Sequence, residues 1–162
     1  MTTNRNIAPR IDLKDNTRAA MTALLNQQLV DTIDLYTQVK QAHWNVKGPH
    51  FIALHELFDK LAEELESPID DIAERVTALG SVARGTARLA ARESRLQELP
   101  TDGFDGLPLV SALADRYAAL AASTRAAIQT AATDGDADTS DLFTGMSRGL
   151  DKALWFLEAH LR

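Results

Sequence analysis

No cysteine occurs in the 162 residues, which excludes disulfides, thiolate-bound zinc and thiol catalysis. Aromatic residues are scarce, and no apolar run approaches the ~20 residues needed to cross a bilayer, so no membrane association is expected. The opening MTTNRNIAPRIDLKDN has no apolar segment of the kind a secretion signal carries, which makes the cytoplasm the default expectation. Positive charge is also in short supply. Seventeen Lys and Arg face 23 Asp and Glu, a formal charge of −6, which argues against a wholly basic nucleic-acid binder. Any such role needs a local basic element.

What the chain has in abundance is helical periodicity. At 17.7 kDa and 45% apolar residues it can bury one real core. A first helix is expected from about Asp15 or Asn16, a plausible N-cap, to the break at Lys47-Gly48-Pro49. A second runs from about His50 to Leu79 and ends at Gly80. A long connection follows, in which RLAARESRLQEL reads as a short helix. The third main helix starts near Leu107 or Pro108, and the fourth covers DLFTGMSRGLDKALWFLEAHLR after the acidic turn TDGDADTSD. Two hairpins joined by one crossover predict an all-α fold, a ferritin-like four-helix bundle with a short extra helix in the crossover. Residues 1–14 are expected to form a flexible N-terminal tail and 15–162 the bundle.

The second helix carries a second stripe besides its apolar one. On a wheel of about 100° per residue with His55 at zero, Asp59 falls near 40°, Asp70 near 60° and Glu74 near 100°. Leu54, Phe58, Leu61, Leu65, Ile72, Val76 and Leu79 cluster about 260°, so the ligand-type face turns away from the chain's own core. The His55/Asp59 and Asp70/Glu74 pairs are roughly 22 Å apart along the axis and cannot share a metal within one chain. Two copies packed antiparallel about a two-fold near Glu64 and Leu65 would bring the His55/Asp59 end of one to the Asp70/Glu74 end of the other, twice. Ala62 and Ala73 are expected to ease that approach. His43, a turn before the first helix ends, joins His55 at the hairpin tip. Two imidazoles and three carboxylates suit ferrous iron, manganese or zinc. Any one of these residues alone is ordinary surface more often than a ligand; five obeying one two-fold construction are harder to dismiss.

At these positions the chain resembles a known family. His43-Trp44-Asn45, Gly48-Pro49-x-Phe51, His55-Glu56-x-x-Asp59 and Asp70-x-x-Ala73-Glu74-Arg75 look like the signature of the Dps proteins, the mini-ferritins named as DNA-binding proteins from starved cells. The similarity extends to Ala114-Asp115-Arg116-Tyr117 and to Leu150-Asp151-Lys152-x-Leu154-Trp155-Phe156-Leu157-Glu158. The resemblance implies a hollow homododecamer with a two-iron ferroxidase site at each two-fold interface, His43, His55 and Asp59 from one subunit and Asp70 and Glu74 from its partner. It implies oxidation of Fe(II), preferably by hydrogen peroxide, and storage of Fe(III) mineral inside the shell. No Glu-x-x-His motif occurs, so no di-iron centre is expected within the bundle itself.

Asp138 and Asp141 match the family's three-fold pore, where rings of carboxylates draw cations inward. The residues by themselves read differently: Asp138 or Thr139 caps the fourth helix, and Asp134 and Asp136 belong to a solvated loop. Trp44 and Trp155 are expected to be packing residues first. Pro68 lies inside the second helix two residues before Asp70 and should bend it there. The tail offers only Arg5, Arg10, Lys14 and the terminal amine, so DNA is at most a weak, salt-sensitive partner unless twelvefold repetition adds avidity. Three classes follow: an iron-oxidising store, a nucleoid-compacting DNA binder with incidental iron chemistry, and a purely structural helical oligomer.

Overall fold

Chain reversal at Lys47-Gly48-Pro49 is made by Gly48, whose φ of +105° lies where a side chain would be strained. Helix α1 (Asp15–Asn45) therefore ends just before it and α2 (Phe51–Ala78) begins just after, forming the first hairpin. At the far end Gly80, at φ +85°, closes α2; a Cβ there would lie 2.7 Å from Cδ of Pro9. The crossover then carries α3 (Ala87–Glu93), and α4 (Gly106–Thr133) and α5 (Ala137–Glu158) make the second hairpin. The computed structural model describes residues 9–162, and the part of the expected tail in residues 1–8 lies outside them. Residues 9–14 are non-helical, with Ile11 and Leu13 packed against the core.

The apolar stripe expected on α2 is the one that is buried: Leu54, Phe58, Leu61, Leu65, Ile72 and Val76 face Leu25, Leu35, Leu113, Tyr117 and Phe143 from the other long helices. Burying side chains of this size contributes roughly 1.5–3 kcal/mol each before the entropy of ordering is subtracted. The Tyr117 hydroxyl donates to the Leu61 carbonyl at 3.3 Å, and burial, aided by Glu64, pushes its phenol well above the usual range. The result is the all-α four-helix bundle with the short extra crossover helix.

Several local expectations are corrected. Asp15 is the first helical residue rather than the N-cap, because its carboxylate is engaged by Arg18 one turn on. The crossover helix covers only the first half of RLAARESRLQEL. Ser94 and Arg95 leave it for carboxylates of α1: the Ser94 hydroxyl donates to Asp34 at 2.5 Å, and the Arg95 amide donates to Asp31 at 2.8 Å. Helix α5 starts at Ala137, capped by Asp136, which accepts from the Thr139 amide at 3.0 Å. Neither Asp138 nor Thr139 is the cap, and Asp136, only 2% exposed, is no solvated loop residue.

Two further expectations change at the surface. Trp44 and Trp155 are 66% and 60% exposed within the chain, because each stands on the side of its helix away from the apolar stripe. Ala62 is 1% exposed and belongs to the chain's own core, so of the two alanines only Ala73 reaches toward the outer face. Helix α2 spans Phe51–Ala78 with Pro68 inside it.

Candidate metal centre

Every helix leaves its last carbonyls without an intrahelical donor. For the carbonyl of His43 that donor would be the amide of Lys47, which instead donates to Phe104 at 2.9 Å, tying the hairpin tip to the segment that leads into α4. The open carbonyl is taken by the other histidine. His55 Nδ1–H donates to His43 O at 2.9 Å, and His43 Nδ1–H donates to His55 O at 2.8 Å. The two rings stack with centroids 3.8 Å apart and planes 21° from parallel. A carbonyl only accepts, so each Nδ1 carries the proton and these bonds leave each Nε2 as the position from which the ring can bind a metal. One reciprocal exchange thus fixes the tautomer of both imidazoles.

Asp59, one turn beyond His55, stands beside this pair with Oδ1 3.7 Å from His43 Nε2. The same oxygen accepts from the ammonium of Lys40 at 2.6 Å. That bond, with the nearby histidines adding to it, holds the Asp59 carboxyl below its usual range. The same bond raises the ammonium of Lys40. The carboxylate's contribution is present above its ordinary titration range and fades as pH falls through its lowered value. The ammonium's is present below the ordinary lysine range and fades as pH rises through its raised value. Around neutrality both are charged, so a metal taking Asp59 Oδ1 competes with Lys40.

Sequence reasoning missed Lys40. Its signal was available: it precedes His43 by three residues and therefore shares its face of α1. Replacing Lys40 with Met removes the competing cation, and we expect Fe(II) to bind at neutral pH about 2- to 5-fold more tightly, the scale of an exposed ion pair. Calorimetric titration under anaerobic conditions measures it; weaker binding in the variant would make Lys40 a support of the site instead of a competitor.

Asp70 and Glu74 are exposed on α2, one turn apart, beginning about 16 Å along the axis from Asp59. One chain thus brings His43, His55 and Asp59 together and leaves Asp70 and Glu74 elsewhere. Among the described residues no cluster of three or more His, Asp or Glu closes on a single metal position. Trp44, Phe51 and Ile52 stand exposed at the same hairpin tip. Asp138 and Asp141 both lie exposed at the start of α5, remote in sequence from this group.

Residues 22–162 match the profile of the ferritin-like domain. A DNA protection during starvation protein from Agrobacterium fabrum is 44% identical over 151 residues, covering 93% of each chain. The chain belongs to the Dps family. DpsC from Streptomyces coelicolor superposes with a TM-score of 0.91 at 31% identity, over 95% of this chain and 90% of that one. The Dps protein from Vibrio cholerae O1, described as a member of a broad superfamily of ferritin-like diiron-carboxylate proteins, gives a TM-score of 0.88 at 27% identity, over 96% and 98% of the two chains. In this chain the histidine pair stands at the tip of the first hairpin, and Asp70 and Glu74 are exposed on α2.

Proposed function

We propose that this protein oxidises Fe(II) with hydrogen peroxide at sites shared between two-fold-related subunits and stores the Fe(III) as mineral inside a closed dodecamer. The observation that carries the proposal is the reciprocal imidazole-to-carbonyl exchange of His43 and His55, which prepares two Nε2 donors beside the Asp59 carboxylate. Asp70 and Glu74 of the partner subunit complete the ligand set, and Glu74 has the length to bridge two irons. Imidazole with carboxylate is a borderline-to-hard set that favours ferrous iron, and iron here is substrate and cargo. The diiron-carboxylate description of the Vibrio cholerae relative supports the same chemistry.

Two irons at one site each give one electron to one peroxide. The O–O bond breaks, two protons are taken up, and two waters leave, so no one-electron step has to release a hydroxyl radical. Histidines locked by backbone carbonyls need no reorganisation as iron arrives. Exposed Trp44, Phe51 and Ile52 give the hairpin tip an apolar margin suited to burial against a second subunit. Asp138 and Asp141 are proposed to line the three-fold passage that admits iron. Among the described residues no helix is long and apolar enough to cross a membrane, and a cytoplasmic location suits protection of DNA from peroxide.

The test is direct. The purified protein is expected to sediment at about twelve times the chain mass, the closed assembly proposed for the family. It should consume peroxide at one molecule per two Fe(II) oxidised. A stable monomer at micromolar concentration, or iron oxidation no faster than in buffer, would sink the proposal.

A further inference from the structure

Between α1 and the crossover lies a groove of about 670 Å³. Residues 94–104 run beside α1 in its own direction, fastened where the Ser94 hydroxyl donates to Asp34 at 2.5 Å and where the Lys47 amide donates to the Phe104 carbonyl at 2.9 Å. Arg116 of α4, only 5% exposed, holds the same segment by donating to the carbonyls of Gln97 and Glu98. Both walls are therefore fixed before any ligand arrives, and the volume is that of a small-molecule site.

One residue of the α1 wall lacks a partner. Gln38 is 6% exposed and its Nε2 donates to Asp34 Oδ1 at 3.2 Å, but its Oε1 is the one buried side-chain oxygen or nitrogen among the described residues without a hydrogen bond. A buried amide oxygen left in that state is costly, so a donor is wanted there. The neighbouring groups ask for donors too. Asp34 accepts one bond at each oxygen, from Gln38 and Ser94, where a carboxylate can accept about four. Asp34 and Glu98 are the anions of the lining and Lys40, about 9 Å along α1 from Asp34, is its one cation. Leu96 and Leu99 supply apolar surface on the crossover wall.

We propose that this groove binds a small organic monocation, a primary ammonium on an apolar or aromatic body, with the ammonium at Asp34 and Gln38 and the body against Leu96 and Leu99. The site goes beyond iron oxidation and uses none of the residues proposed to hold iron. A primary ammonium carries three donors and no acceptor, so it serves the Gln38 oxygen and the Asp34 carboxylate together. A metal ion suits the groove less, because among the described residues no three His, Asp or Glu side chains converge. Lys40 decides against a polyamine, since a second ammonium farther along the groove meets its positive charge. Trp44, at the far end, belongs to the margin proposed to meet a second subunit. The ligand is thus confined to the Asp34 end.

The experiment titrates the purified, iron-free protein with 2-phenylethylamine in a calorimeter at neutral pH. One molecule per chain is expected, with a dissociation constant below about 1 mM for a ligand of this size. D34N and Q38M should each weaken binding about tenfold, the scale of a hydrogen bond to a charged group. Thr37 lines the groove from an exposed position on α1, so T37W should fill the space and abolish binding without disturbing the core. The neutral 2-phenylethanol should not displace the amine, and the diamine cadaverine should bind at least about fivefold more weakly because of Lys40. Unchanged particle size in the variants separates loss of binding from loss of fold. With iron absent, the outcome stands apart from the ferroxidase proposal. No binding by wild type at about 1 mM, undiminished binding by T37W or by both D34N and Q38M, displacement by 2-phenylethanol, or cadaverine binding as tightly as the monoamine would each overturn the assignment.

Discussion

Particles refolded from an equal mixture of H43N/H55N chains and D70N/E74Q chains are expected to recover about a quarter of wild-type iron-oxidising sites, although each variant alone is expected to have almost none. The substitutions are chosen from the geometry. Asparagine can keep a donor near the position of Nδ1 and so preserve the bond to the facing carbonyl, while the Nε2 ligand is lost. The amides at 70 and 74 keep shape and lose charge. In a mixed dimer one site collects both sets of damage. The other joins intact His43, His55 and Asp59 from one chain to intact Asp70 and Glu74 from the other. Random pairing makes half of the dimers mixed, each with one good site in two, which gives the quarter. A site enclosed in one chain could never be rescued by mixing. No recovery in particles of full size would therefore overturn the shared site, and with it the assignment of which residues meet.

The parts of the fold that could be read from the sequence are those governed by a single physical effect. The apolar stripe of α2, from Leu54 to Val76, follows from its 3.6-residue period alone, and burial of that stripe leaves His55, Asp59, Asp70 and Glu74 facing outward. Gly48 and Gly80 mark the ends of α2 because backbone sterics leave little alternative. Errors arose where tertiary partners compete with local preference. Asp136 looked like one more aspartate in a polar turn, but Arg75, 61 positions earlier, meets it and makes burial tolerable. Ser94 and Arg95 look helical until Asp34 and Asp31 take their donors. His43 and His55 could be read as neighbours at the hairpin tip, but their reciprocal hydrogen bonds could not, because the Lys47 amide donates to Phe104 and leaves the His43 carbonyl open. Trp44 is exposed within the chain, since a large aromatic ring suggests packing but does not say against what.

Arg75 leads to the second large effect, in the stability of the bundle. It follows Glu74 on α2 and reaches the start of α5, donating through Nη2 to Asp136 at 2.8 Å and through Nε to the Thr139 hydroxyl at 3.0 Å. Asp136 is buried, and it also accepts from the Thr139 amide and hydroxyl, so one carboxylate serves as helix cap and ion-pair partner together. Removing the guanidinium leaves that carboxylate without its counter-charge, and R75M is expected to lose about 3 kcal/mol, the lower range for breaking a buried pair. Neutralising both partners is a different matter. Asparagine is as good a cap as aspartate, so R75M/D136N removes the stranded charge while keeping the Thr139 amide satisfied, and it should regain most of the loss. Denaturant unfolding of the three proteins measures this at equal protein concentration, because assembly contributes to apparent stability. A loss under about 1 kcal/mol in R75M, or a double variant no more stable than the single, would show that the pair is not what fixes the end of α2 against α5. Since Glu74 is the residue before Arg75, the same anchor sets where Glu74, proposed above to face the partner subunit, is presented. R75M should therefore slow iron oxidation under conditions in which the particle remains assembled.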